Sequence, residues 1–367
     1  MTLKNVLPPR KIQSVQALRA LAVILVVYTH TLSALDNSAQ SKFHHLRFWG
    51  GIGVDLFFII SGFIMATILP NYIGETDSAK DFIVKRAIRI LPLYWFLSSM
   101  LVFLSRHNPN VLTRDILLKT YLLFPIFDKG SFIFGFIPQS WTLAYELYFY
   151  FIIFLALVFI KRQANSALIF ALASFVVLGL LFHGGYLVSF LTSPLLIEFI
   201  FGIMIGSIYH STVKNGDTPD KNQILKNLSI PFVIAGGALM CVTIFIGTRP
   251  FYIAENVAAD NVLAIQRSLY WGIPCALLVC GYLFAEYFYR LRAWKLFVAI
   301  GDASFSCYLV HLTFLRKLEA IFQGSTKANA DLYVLIYLVL ILGLSFVVYK
   351  FIERPLTRLC TMLIFKR

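Results

Sequence analysis

The chain has 367 residues, of which 59% are hydrophobic and only 14% charged, and its mean hydropathy is +0.77. That balance excludes an ordinary soluble domain and points to a polytopic membrane protein. The formal net charge is +14, but the Lys and Arg residues sit in short stretches between apolar runs. That is the positive-inside pattern of membrane proteins, and it argues against a nucleic-acid partner.

Ten apolar runs are long enough to cross a bilayer: 14–35, 51–69, 82–104, 141–161, 166–183, 187–209, 229–247, 262–288, 296–318 and 331–352. The expectation is an all-α, polytopic transmembrane bundle that forms one domain over 1–367. Lys4, Arg10 and Lys11 precede the first run, as in a signal peptide. That run is about 20 residues long and no small-residue cleavage site follows it, so it reads as a retained span. An even number of spans leaves both termini on one side. That side carries roughly twice as many Lys and Arg as the other, which makes it the cytoplasmic one. The 35 Phe residues suit lipid-facing helix surfaces. Cys241, Cys275, Cys280, Cys307 and Cys360 show no CxxC spacing and no His/Cys cluster. They read as small buried hydrophobes; neither a disulfide framework nor a metal site is expected.

The first run carries Arg19 and His30 within otherwise apolar sequence. Eleven residues make three helical turns plus roughly 20°, so both side chains leave one face, about 16 Å apart along the axis. A charged Arg within a bilayer costs on the order of 3 kcal/mol, so this face is expected to meet a polar cleft rather than lipid. Asp55 follows in the second run beside a Gly-rich turn, as a cap or a site residue, and Ser61 lies at that run's middle. The third run opens with Ser78-x-x-Asp81, a capping-box-like start, followed by Lys85, Arg86 and Arg89 in what should be its first turns. Cations there oppose the helix dipole unless an anion binds at the helix start. Arg86 and Arg89 are neighbours on one face, suited to gripping phosphates. Pro92 is placed to kink the span.

Between spans three and four, 113–127 is semi-apolar and reads as an interfacial or re-entrant helix, broken by Gly130, Gly135 and Pro138 before Trp141. Trp141 and Tyr145 are aromatic-belt anchors or platforms for a sugar ring. Glu146 lies about five residues into the fourth span. Glu198 is mid-membrane and in position to pair with Arg267, while His311 near Tyr308 is a core histidine or a site residue. Glu353 and Arg354 form a local pair ending the last span. On this topology His30, Asp55, Glu146, Arg267 and His311 share a layer roughly 6 to 10 Å below the outer surface. Arg19, Arg86, Arg89, Lys350, Glu353 and Arg354 form a second layer near the cytoplasmic face.

A cationic inner mouth with an acid/base-rich outer half fits acyl transfer from a phosphate-bearing thioester to a hydroxyl. A histidine beside a carboxylate would serve as general base. On these residues alone, an ion-coupled transporter of a small acylated or anionic solute fits nearly as well. A transporter should carry internal repeats, and no convincing one is seen. An accessory subunit with a dead site is a third reading.

The motifs decide between them. Arg19-x10-His30, Gly53-Val-Asp-Leu-Phe-Phe-Ile-Ile-Ser-Gly-Phe63 and Phe82-Ile-Val-Lys-Arg-Ala-Ile-Arg-Ile-Leu-Pro-Leu-Tyr-Trp95 stand in order along the chain. Ser140-Trp-Thr-Leu-Ala-Tyr-Glu-Leu-Tyr-Phe-Tyr150, Gly301-Asp-Ala-Ser-Phe-Ser-Cys-Tyr-Leu-Val-His311 and Glu353-Arg-Pro355 come after them. Together they resemble the acyltransferase-3 family of integral membrane acyltransferases, most closely the exopolysaccharide O-acetyltransferase branch. The resemblance implies a multi-pass enzyme of the bacterial inner membrane. It would take an acyl group, often acetyl, from cytoplasmic acyl-CoA, a co-substrate rather than a resident cofactor. The acceptor would be a hydroxyl of exopolysaccharide, O-antigen or lipid-linked oligosaccharide. Arg19 and His30 fall on the family's required pair, and Arg86 and Arg89 on its donor-handling Arg-x-x-Arg. Some members add a C-terminal periplasmic esterase-like domain; none is expected here, since the chain ends soon after Pro355. In the mechanism this suggests, His30 is the base, oriented by Glu146 or, as second choice, Asp55. Arg19 polarises the donor, and Arg86 and Arg89 hold CoA phosphates. Ser61 is an alternative acyl carrier, and an acyl group on His30 itself is possible. Trp141, Tyr145, Tyr150, Arg267, His311 and Glu353 are candidates for acceptor contact or support.

Overall fold

The structure, a computed structural model, describes residues 12–35, 43–73, 76–107, 112–123, 126–128, 131–133, 135–160, 164–182, 184–214, 222–246, 249–252, 260–322 and 330–365. Lys4, Arg10, Lys11 and Gly130 lie outside the described residues. The elements in chain order are α1 (Gln13–Leu35), α2 (Ile52–Ile68), α3 (Thr76–Leu104) and α4 (Arg114–Leu122), then a two-stranded antiparallel ribbon, β1 (Ile126–Asp128) and β2 (Ser131–Ile133). Next come α5 (Ser140–Phe159), α6 (Ala164–Leu181), α7 (Tyr186–Leu191), α8 (Leu196–Lys214), α9 (Gln223–Val242) and the short α10 (Arg249–Tyr252). The chain closes with α11 (Asn261–Arg267), α12 (Ile273–Tyr289), α13 (Lys295–Asp302), α14 (Ser304–Phe322), α15 (Ala330–Val348) and α16 (Arg354–Ile364).

Among the described residues nine helices are long and apolar enough to cross a membrane, and α13 with α14 make a tenth, bent by 68°. The molecule is a multi-pass helical membrane protein, as the apolar runs indicate. Its large exposed apolar side chains, Phe159, Phe170 and Phe245 among them, lie on the outside of the bundle. Cys275 and Cys307 are buried as expected, but Cys241 is exposed.

Two expectations about α3 change. The helix starts at Thr76, two residues before Ser78, whose hydroxyl donates to the Tyr72 carbonyl (2.5 Å). Arg86 therefore stands ten residues inside the helix, roughly 15 Å from its start. Arg86 and Arg89 are thus not in the first turn, where the expected anion site was placed. Pro92 sits within α3 without ending it. The 113–127 stretch does hold a helix, α4, capped by the Thr113 hydroxyl, which accepts from the Ile116 amide at 3.3 Å.

Four local devices position the site. The start of α1 is held by Glu286 of α12, whose carboxylate accepts from the amides of Gln13 (3.0 Å) and Ser14 (2.6 Å). A carboxylate on the free N–H groups of a helix start satisfies both their hydrogen bonding and the dipole. The bend at Ala303 brings Gly301 onto α1, where an added Cβ would lie 2.0 Å from the Gln16 carbonyl oxygen. This contact is one turn before Arg19. Two π turns, Ser268–Gly272 and Tyr349–Glu353, interrupt the eighth and last spans.

The fourth device is the crossing of α2 and α8, set by small residues, the usual solution where lipid gives no hydrophobic drive between helices. A Cβ on Gly62 would lie 2.3 Å from the Phe199 carbonyl oxygen, and one on Gly202 would lie 2.1 Å from that of Ile59. Both obstacles are backbone, so neither can swing aside. Gly202→Leu should destabilise the protein by about 1–3 kcal/mol, read as a lowered thermal unfolding midpoint in detergent. Gly237→Leu, with nothing within 4 Å of its Cβ position, should leave that midpoint unchanged.

Candidate active site

Five helices surround a partly enclosed cavity of about 120 Å³. Arg19 reaches it from α1, Ser61 from α2, Arg86 and Arg89 from α3, Glu146 and Tyr150 from α5, and Ser304 and Tyr308 from α14. Apolar side chains such as Val54, Phe58 and Ile90 complete the walls. The lining holds three guanidiniums against one carboxylate, so the cavity favours an anion. Arg19 is within electrostatic reach of Arg89, Glu146, Glu353 and Asp302. Arg86 lies near the Phe82 ring (5.9 Å), and its buried Nε has no hydrogen-bond partner among the described residues. A guanidinium with an unspent buried N–H, facing a cavity, is suited to a phosphate or carboxylate oxygen.

Glu146 is held on the wall by hydroxyls. Its Oε1 accepts from Tyr150 in a short bond and from Ser61 at 3.4 Å. Arg89 is engaged differently: its Nη1 donates to Glu353 Oε1 (3.2 Å), while Ser306 donates to Glu353 Oε2 (2.6 Å). Glu353 is buried and comes from the second π turn. It therefore pairs with Arg89 on α3, and the local pair with Arg354 read from adjacency is replaced. Adjacent helical residues point about 100° apart, which makes such a pair a poor one.

His30 stands further along α1. Its Nδ1 lies 2.8 Å from the Val26 carbonyl. A carbonyl only accepts, so Nδ1 carries the proton and Nε2 is left as the basic atom. The ring packs edge-on against His311 of α14, centroids 5.1 Å apart at 61°. His311 is wholly buried and fixed in the same tautomer, its Nδ1 lying 2.8 Å from the Tyr308 carbonyl and 3.2 Å from that of Cys307. Tyr337 donates to the His311 carbonyl, and Tyr308 links the histidines to the cavity it lines. Gln139, which the sequence did not single out, steadies this junction by donating to the Tyr308 (2.9 Å) and Leu309 (3.0 Å) carbonyls.

The remaining candidates form a separate buried centre. Arg267 makes a two-pronged bond to Asp55, Nε to Oδ1 at 3.1 Å and Nη2 to Oδ2 at 2.8 Å, and its Nη1 donates to the Phe251 carbonyl at 2.7 Å. Glu198 joins through Ser268, whose hydroxyl lies 3.3 Å from Glu198 Oε1. The expected mid-membrane neighbourhood of Glu198 and Arg267 is present, with Asp55 as the direct partner. Trp141 and Trp271 rings lie 5.9 and 4.9 Å from the guanidinium. Tyr145 is wholly buried against Phe58, Trp141 and Phe190, so it is a core side chain, not an interfacial anchor or an open sugar platform.

The folded bundle thus divides the expected layers differently. Glu146 shares a cavity with Arg19, Arg86 and Arg89, Asp55 is committed to Arg267, and His30 is set against His311. Ser304, Thr142 and Tyr308 line the cavity without having been singled out as site residues. Tyr308 was detectable as the aromatic one turn before His311.

An acyltransferase domain, of the acyltransferase-3 type, matches residues 12–350. The exopolysaccharide production protein ExoZ of Rhizobium meliloti is 29% identical over 333 residues, covering 88% of this chain and 94% of that protein. The O-acetyltransferase OatA of Staphylococcus aureus is 24% identical and spans 97% of this chain, but only 59% of its own length is matched. The peptidoglycan O-acetyltransferase OatA of Listeria monocytogenes is 30% identical over 174 residues, 43% of this chain and 26% of that protein. No solved structure matches the chain.

Proposed function

We propose, because the chain belongs to the acyltransferase-3 family of membrane acyltransferases, that it moves an acyl group, acetyl in the first place, from cytoplasmic acyl-CoA to a hydroxyl of an exported or cell-surface carbohydrate. The observation that carries this reading is the anion-favouring cavity of three arginines and one carboxylate, which Tyr308 and His311 connect to the His30 ring. Arg19 and Arg86 receive the donor's phosphates and orient its thioester. Arg89, tied to Glu353 and Ser306, braces that wall. His30 Nε2 takes the acceptor proton as the hydroxyl oxygen attacks the acyl carbon. The excess of Lys and Arg on the side of the termini supports a cytoplasmic Arg19–Arg86 end in a bacterial inner membrane. The names of the relatives, exopolysaccharide production and peptidoglycan O-acetylation, support a carbohydrate acceptor.

One observation favours a second route. The Ser61 hydroxyl donates to Glu146 on the cavity wall, the arrangement of a nucleophile beside a base. An acyl group resting on Ser61 would leave label on the protein that hydroxylamine removes and Ser61→Ala abolishes.

The test uses membrane vesicles containing the protein and acetyl-CoA labelled in the acetyl group. Label should enter an alkali-labile ester of the carbohydrate fraction as free CoA appears. Arg86→Ala should raise KM for acetyl-CoA by about 10- to 100-fold, the size of a lost charge-assisted hydrogen bond. No incorporation from any acyl-CoA, together with solute uptake that depends on Arg19 and His30, would make the protein a transporter instead.

A further inference from the structure

The bend at Ala303 does more than press Gly301 onto α1. Because α13 and α14 meet at 68°, α14 opens as a helix of its own against the cavity of Arg19, Arg86 and Arg89. Its hydrogen-bond ladder begins with the Cys307 amide, which donates to the Ala303 carbonyl at 2.9 Å. The amides of Ser304, Phe305 and Ser306 precede it, at the positive end of the helix dipole. Ser304 and Phe305 line the cavity, and the Phe305 ring lies 5.8 Å from the Arg89 guanidinium. Ser306 donates to Glu353 Oε2 at 2.6 Å, so this turn already holds one anion, whose charge Arg89 matches. Ser304 is engaged by nothing comparable. It is wholly buried, and its hydroxyl has no hydrogen-bond partner among the described residues. A buried hydroxyl is nearly always hydrogen-bonded. The acceptor that suits one at a helix start beside guanidiniums is an anionic oxygen, which the dipole and the arginines favour as well.

Resting on the acyl-transfer reading above, we infer that Ser304 and the first turn of α14 form a third side of the donor's phosphate seat. The Ser304 hydroxyl donates to an oxygen of the phosphate that ends the donor's pantetheine arm, with Arg19 and Arg86 on the same cavity. Position selects that phosphate over the thioester carbonyl. Gly301 lies against Gln16, one turn before Arg19, which sets the start of α14 at the Arg19 end of α1. From there to His30 is about 16 Å along α1. His311, whose ring packs on that of His30, is seven residues beyond Ser304, roughly 10 Å along α14. Both helices therefore hold Ser304 away from the reacting carbon and leave the length of an extended arm between them. The phosphate so recognised belongs to the arm itself, and the adenosine part of the donor takes no part in this contact.

Three donors that share one thioester test this: acetyl-CoA, acetyl phosphopantetheine and the phosphate-free acetyl pantetheine, each labelled in the acetyl group and offered with the membrane carbohydrate fraction. In the unaltered protein kcat/KM should fall by about 10-fold or more when the phosphate is taken off the arm. Ser304→Ala should lower kcat/KM for acetyl phosphopantetheine by about 10-fold, the size of a hydrogen bond to a charged group, and leave that for acetyl pantetheine unchanged. The unfolding midpoint should stay in place, because the hydroxyl removed has no partner among the described residues. A merely structural role would lower both truncated donors alike. Equal loss on the two, or no loss on either, would overturn the inference. So would an unaltered protein that uses the phosphate-free donor as well as the phosphorylated one, a result that needs no variant to fold. Transfer from acetyl-CoA but not from acetyl phosphopantetheine would also overturn it, by placing the recognised phosphate on the nucleotide. Failure of the unaltered protein to transfer acetyl from any of the three would instead remove the acyl-transfer reading, so the two failures are distinct.

Discussion

Arg267→Met should cost the folded protein about 3–5 kcal/mol, the range for a buried ion pair that loses one partner. Arg267, Asp55 and Glu198 are each 1% exposed or less. Removing the guanidinium strips Asp55 of a two-pronged bond and frees the Phe251 carbonyl as well. It also leaves Glu198 beside a second carboxylate with no cation between α2, α8 and the π turn at Ser268–Gly272. Much of the loss comes from that uncompensated charge and not from the pair's own attraction. The double variant Asp55→Leu/Arg267→Met should therefore recover most of the stability. Thermal unfolding in detergent of both single variants and the double variant is the measurement. A double variant as unstable as Arg267→Met would show that the pair itself, with its fixed geometry, holds these helices together.

His30→Ala should lower kcat for acetyl transfer by about 10²- to 10⁴-fold, the contribution of a positioned general base. On the proposed reading the donor is received by Arg19 and Arg86, which line the cavity, so KM for acetyl-CoA should not move. The fold should also hold, because α1 is anchored elsewhere, through Glu286 at its start and Gly301 one turn before Arg19. Initial rates of label transfer and of CoA release, with the unfolding midpoint as control, decide it. A variant that keeps its rate would move the base to another residue, with Glu146 next in line because it already accepts from Ser61.

The architecture was readable because span length and apolarity are local properties, written into each run of residues. The bend at Ala303 was not, since hydropathy averages over a window and is blind to direction. Arg19 and His30 were readable as one face of one helix, because an eleven-residue spacing fixes their angle. Which partner each meets was hidden. Asp55 and Arg267 are 212 positions apart, and Arg89 and Glu353 are 264 apart. Contacts of that kind are set by how helices cross, and the crossing depends on glycines such as Gly62 and Gly202, whose role is only visible once a backbone lies against them. The two-layer expectation failed at Glu146 for the same reason: depth along a helix was estimated from sequence, but the direction its side chain takes was not. Glu286, the anchor of α1, gave no signal at all, since it is one acidic residue near the end of an apolar run.

The π turn at Tyr349–Glu353 sets a constraint of another kind. Such a turn is an α-helix that has accommodated one additional residue. Loss of a single codon between 349 and 352 would let the winding relax to 3.6 residues per turn while the flanking helices keep their orientation, because the wide turn is what absorbs the additional residue. The same loss in the regular helix before it, α15, would rotate everything C-terminal to it by about 100°. Glu353 would then swing away from Arg89 and Ser306, and α16 would present a different stripe to its surroundings. Within the last span, tolerance to a one-residue deletion should therefore centre on these five positions.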